Sequence, residues 1–245
     1  MEREVYFRHL QNESNHWWFR ARGEIISAMI KKNISSNDKK LKILDFGSGS
    51  GTNIEMLSNL GDVYVYEKNK EIFNILKLKY GKFRNVKFIE NLGKENFFDL
   101  ILAADVIEHI KNDFETIENF YNILNTKGQL ILTVPAYDFL MSKKDEVLQH
   151  YRRYNKKSLQ KLITKYFDEI KVSYFNFFLF IPIALVIIFF KLFNMDFIDK
   201  VEKKPNELTN VILHRIFSFE KYFLNFLNFP FGVSIIAILK KKQND

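Results

Sequence analysis

The sequence predicts an α/β protein: a seven-stranded, mostly parallel sheet with helices on both faces. Three observations carry this expectation. From Leu41 onward, short apolar runs alternate with stretches of helical periodicity, the pattern of a parallel sheet built through crossover helices. The run Phe98-Asp-Leu-Ile-Leu-Ala-Ala is apolar almost throughout, as suits a strand covered on both faces. The first run passes through a turn holding Gly47, Gly49 and Gly51 directly into a helical stretch.

Taken in order, residues 14–32 read as a helical lead-in rich in aromatics and arginines, and residues 33–40 as a polar loop. Strands are expected at 41–46, 63–66, 86–89, 98–104, 129–134, 169–174 and 233–239. Helices are expected at 52–60, 70–80, 113–125 and 157–166; in the second, Ile72, Phe73, Leu76 and Tyr80 share one side. Pro135 stops the fifth strand. Four regions result: a helical lid over 1–40, a core over 41–175, a hydrophobic helical insertion over 176–229, and a last strand with a basic tail over 230–245.

The chain has 245 residues and no cysteine, which excludes disulfides and thiolate zinc sites. No metal site is expected from the remaining residues. The first residues, Met-Glu-Arg-Glu-Val, are not followed by the apolar stretch of a secretory signal, so the expected location is cytoplasmic. A net charge of +8 suits an anionic partner such as nucleic acid, a phosphorylated substrate or an anionic membrane face; a lysine-rich solvated surface accounts for it equally well.

The segment Ile43-Leu-Asp-Phe-Gly-Ser-Gly-Ser-Gly is the most informative. Its glycines allow a sharp turn and close approach to a ligand. Glu67 ends the next strand, 20 residues after Gly47, where a carboxylate can accept hydrogen bonds from both hydroxyls of a ribose. A dinucleotide fold needs a small third residue in this turn, and here that position is Thr52. Asp45 would repel a pyrophosphate but suits a ligand carrying an ammonium and a sulfonium. The electrostatics favour S-adenosylmethionine.

Those residues resemble motif I of class I S-adenosylmethionine-dependent methyltransferases, which have a Rossmann-like fold. Residues 98–110 are similar to that family's fourth-strand motif. Residues 124–135 resemble its Leu-Lys-Pro-Gly-Gly segment, with Thr126 in place of Pro and Gln129 in place of the second Gly. The resemblance is nearest to the branch containing quinone-biosynthesis methyltransferases. It implies that Asp45, Gly47, Ser48, Gly49 and Gly51 hold the methionine moiety and Glu67 the ribose. It also implies that Glu90 and Asn91 border the adenine and that Ala104 and Asp105 lie beside the sulfonium. Glu108 and His109 open the next helix, either touching substrate or capping.

Beyond the fifth strand, Asp145-Glu-Val-Leu-Gln-His-Tyr-Arg-Arg-Tyr154 lies at the carboxyl edge where α/β sheets bind ligands, and it resembles an Asp…His-x-Arg-Arg-Tyr signature of the same branch. Arg152 and Arg153, with Tyr154, would clamp a phosphate or carboxylate, or else pair with Asp145 to pin the loop. His150 is the first candidate for a base, with Asp145 and His109 behind it. Trp18, Arg20 and Arg22 would reach the same opening as a lid, or pack on the core.

The insertion starts with the uncharged run Phe175 to Phe190, short for a membrane span of about 20 residues. Residues 207–228 follow as an amphipathic helix, with Leu208, Ile212, Ile216, Phe219, Phe223 and Phe226 on one face. Asn210, His214, Ser218, Lys221 and Asn225 form the other. A monotopic membrane contact through residues 176–228 fits both segments, at the inner face of a membrane. Lys191, Lys200, Lys203, Lys204 and Lys221 would favour anionic lipid. Burial against protein is the competing reading. The acceptor is then a small molecule, lipidic or lipid-linked. The alternatives are a nucleic-acid methyltransferase, against which no RNA-binding module is visible, and a non-catalytic membrane-associated binding protein that retains the fold.

Overall fold

A computed structural model describes residues 15–34, 40–93, 95–193 and 204–243, together with Phe7 and Leu10. Lys200 and Lys203 lie outside the described residues. The elements in chain order are α1 (Trp17–Asn33), β1 (Leu41–Phe46), α2 (Ile54–Ser58), β2 (Gly61–Tyr66), α3 (Lys70–Tyr80), β3 (Val86–Phe88) and β4 (Phe98–Ala104). A 3-10 turn, Ile107–His109, precedes α4 (Asp113–Ile123) and β5 (Leu124–Pro135). A second 3-10 turn, Asp138–Leu140, leads to α5 (Lys143–Val147), α6 (Lys156–Ile163), β6 (Phe167–Phe175), α7 (Phe180–Leu192), α8 (Glu207–Leu224) and β7 (Ser234–Lys241).

The seven strands form one sheet in the order β3-β2-β1-β4-β5-β7-β6, and β7 alone runs antiparallel to its neighbours. This is the expected Rossmann-like class I methyltransferase architecture. Strands β1 and β4 lie at its centre, where Ile43, Leu44, Leu100, Ile101 and Leu102 are wholly buried. Strand β5 begins at Leu124, five residues ahead of the expected start, because Leu124 pairs with Phe98 before a register shift brings Gln129 opposite Leu100.

Helix α3 coincides with its expected span. Asn69 caps it, its side chain accepting from the backbone N–H groups of Glu71 and Ile72. Strands β1 and β4 coincide with theirs as well, and apart from the start of β5 the remaining boundaries lie within four residues of expectation, as frayed ends commonly do.

The insertion leaves the sheet at Phe175 and returns at Ser234, and these two residues are direct partners in the β6–β7 ladder. Helix α8 packs along α1 with its polar stripe inward. Asn210, 2% exposed, accepts from the Trp17 N–H and donates to the Asn15 carbonyl. His214 Nε2 lies 2.8 Å from Glu24 Oε1, and Lys221 donates to Glu24 Oε2 at 2.8 Å. Phe217 is the apolar residue that joins them, stacked on Trp18 with centroids 5.1 Å apart. The opposite face of α8 points outward: Leu208 is 73% exposed and Phe226 85%, with Ile212 and Phe219 about half exposed. Helix α7 exposes Ile181, Leu185, Phe189 and Leu192 and buries Ala184 and Ile187.

Candidate functional site

The chemistry-bearing residues gather at the carboxyl edge of the parallel strands. After β1 the chain turns through Gly47, Gly49 and Gly51 at φ of +70°, +56° and +83°, a region open to glycine at little cost. The amides of Gly47 and Ser48 both donate to the Tyr66 carbonyl, at 2.8 and 3.3 Å, which ties the turn to the end of β2. Side-chain space separates the three glycines. A Cβ on Gly47 would stand 2.7 Å from Val106, and one on Gly51 2.7 Å from Leu76. A Cβ on Gly49 would meet nothing nearer than 4.0 Å.

Glu67 is aimed at this turn. Its Oε2 accepts from the Gly49 amide at 3.0 Å and its Oε1 from the Asn69 amide at 2.8 Å. Asp45 is 2% exposed, and its Oδ2 has no hydrogen-bond partner among the described residues. Burial, reinforced by the charge of Glu67, pushes its carboxyl up to about 7, against the hydrogen bond from Ser48 and the charge of Arg22. A buried carboxylate oxygen without a partner, beside an open glycine, is the arrangement a cationic nucleoside ligand would complete. The residues present therefore fit S-adenosylmethionine.

Asp105 follows β4 with φ +56° and donates its amide to the Thr133 carbonyl at 2.9 Å. Arg22, buried on α1, pairs with the Asp105 carboxylate. One expected lid residue and one expected cofactor residue are thus in direct contact. Ala104, half-buried, ends β4. Glu90 and Asn91 lie exposed just after β3. Arg20 is exposed, whereas Trp18 turns inward onto Phe217.

The segment from Asp145 to Tyr154 is held by its own charges. Arg153 donates from Nε to Asp145 Oδ1 at 2.8 Å, from a terminal nitrogen to Oδ2 at 3.0 Å, and to the Ala136 carbonyl at 3.2 Å. Ser142 adds its amide and hydroxyl to Asp145 Oδ2. His150 Nδ1 lies 2.8 Å from Asp145 Oδ1. Burial works the other way, yet these donors hold the Asp145 carboxyl well below the usual carboxylate range. Arg152 pairs with Asp113 at 2.6 Å, and the buried Tyr154 hydroxyl donates to the same carboxylate at 2.8 Å. Arg152, Arg153 and Tyr154 are accordingly engaged within the fold; the loop-pinning interpretation describes their contacts.

The rings of His109 and His150 meet edge to face, centroids 4.5 Å apart. Burial, then the neighbouring His150, lowers the His109 pKa to about 4, leaving that ring neutral. Glu108 is 0% exposed, with neither carboxylate oxygen partnered among the described residues. Burial first, and then the charge of Asp105, pushes its carboxyl well above the ordinary value. Two residues escaped the sequence reading. Asp113, the shared anchor of Arg152 and Tyr154, looks like any acid in the first turn of a helix. Tyr137, at φ +61° and stacked on Tyr174 at 5.1 Å, had only its position after β5 to mark it.

Comparisons with known proteins agree with this geometry. A family model described as a methyltransferase domain matches residues 15–169. An uncharacterized protein of Methanocaldococcus jannaschii is 30% identical over 165 residues, covering 65% of this chain and 67% of that one. Among solved structures, the YcgJ protein of Bacillus subtilis superposes with a TM-score of 0.58 at 13% identity, over 91% of this chain and 100% of its own. Phosphoethanolamine N-methyltransferase 2 of Haemonchus contortus, in complex with S-adenosyl-L-methionine, gives 0.56 at 16%, over 89% and 52%. At such identities the structural likeness speaks for the fold alone.

Proposed function

We propose an acceptor class for a chain that belongs to the methyltransferase domain family and is an S-adenosylmethionine-dependent methyltransferase: a lipidic or lipid-linked small molecule met at an anionic membrane face. The observation that carries this reading is the reversed polarity of α8, which turns Asn210, His214 and Lys221 inward and Leu208, Ile212, Phe219 and Phe226 outward. A helix facing water would be oriented the other way. The outward residues of α7 add a second exposed apolar face, and such faces mark membrane or partner contacts. No helix among the described residues is long and apolar enough to cross a membrane.

Position supports the same reading. Ser234, where the insertion returns, pairs with Pro135 at the end of β5 and Phe175 at the end of β6. Both apolar helices thus spring from the sheet edge that carries the glycine turn and Asp105. Basic groups accompany these faces: Lys32 sits 4.9 Å from the ring of Phe226, and Lys191 lies at the end of α7.

S-adenosylmethionine supplies an electrophilic methyl group on a sulfonium. Within the reading, the Gly47–Gly51 turn and Asp45 receive its charged methionine end, and Glu67 its ribose. Arg22 closes over the edge through Asp105, which excludes water and fixes the line of approach. Loss of the acceptor's proton is assigned to the neighbourhood of His109 and His150.

Anionic vesicles should carry the protein upward in a flotation gradient, and radiolabelled methyl should enter the organic phase of a lipid extract. A Leu185→Asp, Phe189→Asp, Phe219→Asp variant should lose flotation while keeping its cofactor affinity. Label confined to water-soluble products or RNA, or unchanged flotation of the variant, would overturn the lipid reading.

A second prediction concerns Asp45. Its folded-state pKa of about 7 exceeds the unfolded value of about 3.9, so its contribution favours folding at low pH and is lost as pH rises through 7. A cationic ligand prefers the ionised form. Affinity for S-adenosylmethionine should therefore rise as pH passes from 6 to 8, as measured by calorimetry. Asp45→Asn should flatten that rise and bind about tenfold more weakly, within the range of a charge-assisted hydrogen bond. An unaltered pH profile in the variant would remove Asp45 from the binding site.

A further inference from the structure

We propose that Glu108, His109 and His150 form a binding site for a divalent first-row transition ion at the carboxyl edge of the sheet. One carboxylate and two imidazoles place their ligand atoms within 4.8 Å of one another. Two imidazoles with one carboxylate is a donor set used for catalytic zinc and for other first-row divalent ions, with coordination positions left open.

Three further observations point to a ligand rather than to a chance cluster. Glu108 is entirely buried, offers one carboxylate oxygen to the cluster, and has no hydrogen-bond partner for either oxygen among the described residues, a state that a buried carboxylate rarely keeps without a counter-charge. Each imidazole is held by its outer partner, as metal-binding histidines usually are. His150 Nδ1 faces Asp145 Oδ1 at 2.8 Å, which leaves Nε2 for an ion. The His109 ring is hydrogen-bonded to the Leu148 backbone. The scaffold is also cross-tied, since the Tyr151 amide donates to the Glu108 carbonyl at 2.8 Å.

Ligand bonds of about 2.0–2.2 Å set tetrahedral ligand atoms roughly 3.4 Å apart. The present separations, all within 4.8 Å, leave only a small side-chain adjustment for the ion to be bound. An acceptor hydroxyl taking an open position on the ion would lose its proton more readily, with His109 and His150 acting as ligands. That catalytic consequence rests on the methyl-transfer reading above; the binding itself does not.

The test uses the full chain stripped with a chelator, without methyl donor or acceptor. Zinc titrated against a chromophoric indicator should bind at one equivalent per chain. Glu108→Gln and His109→Asn should each weaken binding at least tenfold, with far-UV circular dichroism checking that both variants are folded. Cobalt added to the unaltered protein should give visible d–d bands of a low-coordinate nitrogen and oxygen site, a readout that needs no variant. Absence of saturable zinc binding up to about 1 mM, absence of the cobalt bands, or folded variants that bind as tightly as the parent would overturn the proposal. Failure of lipid methylation would leave these readouts untouched, so the two readings fail separately.

Discussion

Asp145→Ala should lower the free energy of unfolding by about 3–5 kcal/mol, the cost of leaving one partner of a buried ion pair uncompensated. The Arg153 side chain is 9% exposed, and Asp145 accepts from two of its nitrogens as well as from Ser142 and His150. Chemical denaturation at neutral pH reads the loss; a change below 1 kcal/mol would mean the loop is held by something else. The pH dependence follows from the same carboxylate. Its folded pKa is depressed below the unfolded value of about 3.9, so its stabilisation is present above about pH 4 and lost as pH falls further. In the variant, stability between about pH 2 and 5 should therefore vary less with pH than in the parent.

Gly49→Ala should leave the fold standing and cost roughly a hundredfold in affinity for S-adenosylmethionine, within the cost of about 1–3 kcal/mol for forcing an extra methyl into a filled contact. The left-handed backbone alone costs about 1–2 kcal/mol once a side chain is added. The new methyl meets no protein atom nearer than 4.0 Å, so little packing strain accompanies it. Gly51→Ala provides the contrast, because its methyl would press on Leu76 and Tyr80 at 2.7 and 2.8 Å and should be felt chiefly in the melting temperature. Calorimetric titration and thermal unfolding of the pair separate ligand space from packing space. Equal cofactor affinity in Gly49→Ala and the parent would show that the open volume there is not the cofactor's.

Much of this architecture was legible in the sequence because its signals are local. The spans of β1, β4 and α3 follow from uninterrupted apolar runs and from one apolar helix side. The glycine turn and Glu67 announce themselves by spacing, and the carboxylate does reach the turn. What could not be read depends on partners far away in the chain. The two faces of α8 were visible as periodicity, but which face turns inward is decided by Asn15, the Trp17 amide and Glu24, nearly two hundred residues earlier. Likewise Arg152 and Arg153 read as a clamp for an anionic group, with loop pinning as the competing interpretation. Only the position of Asp113, brought close by α4, and the complete saturation of Asp145 show where their charges go. The isolation of Glu108 has no sequence signature, since burial of a carboxyl is a property of everything packed around it.

One rung of the ladder, Phe175 opposite Ser234, has a consequence for how such an enzyme changes its clientele. The excursion between them begins and ends on adjacent backbone, so its length hardly alters the entropy of closing the sheet. Strands β1 to β3, which lie at the other end of the sheet with the glycine turn, take no part in that junction. A different excursion could be grafted onto the same rung without disturbing the strands that carry the glycine turn.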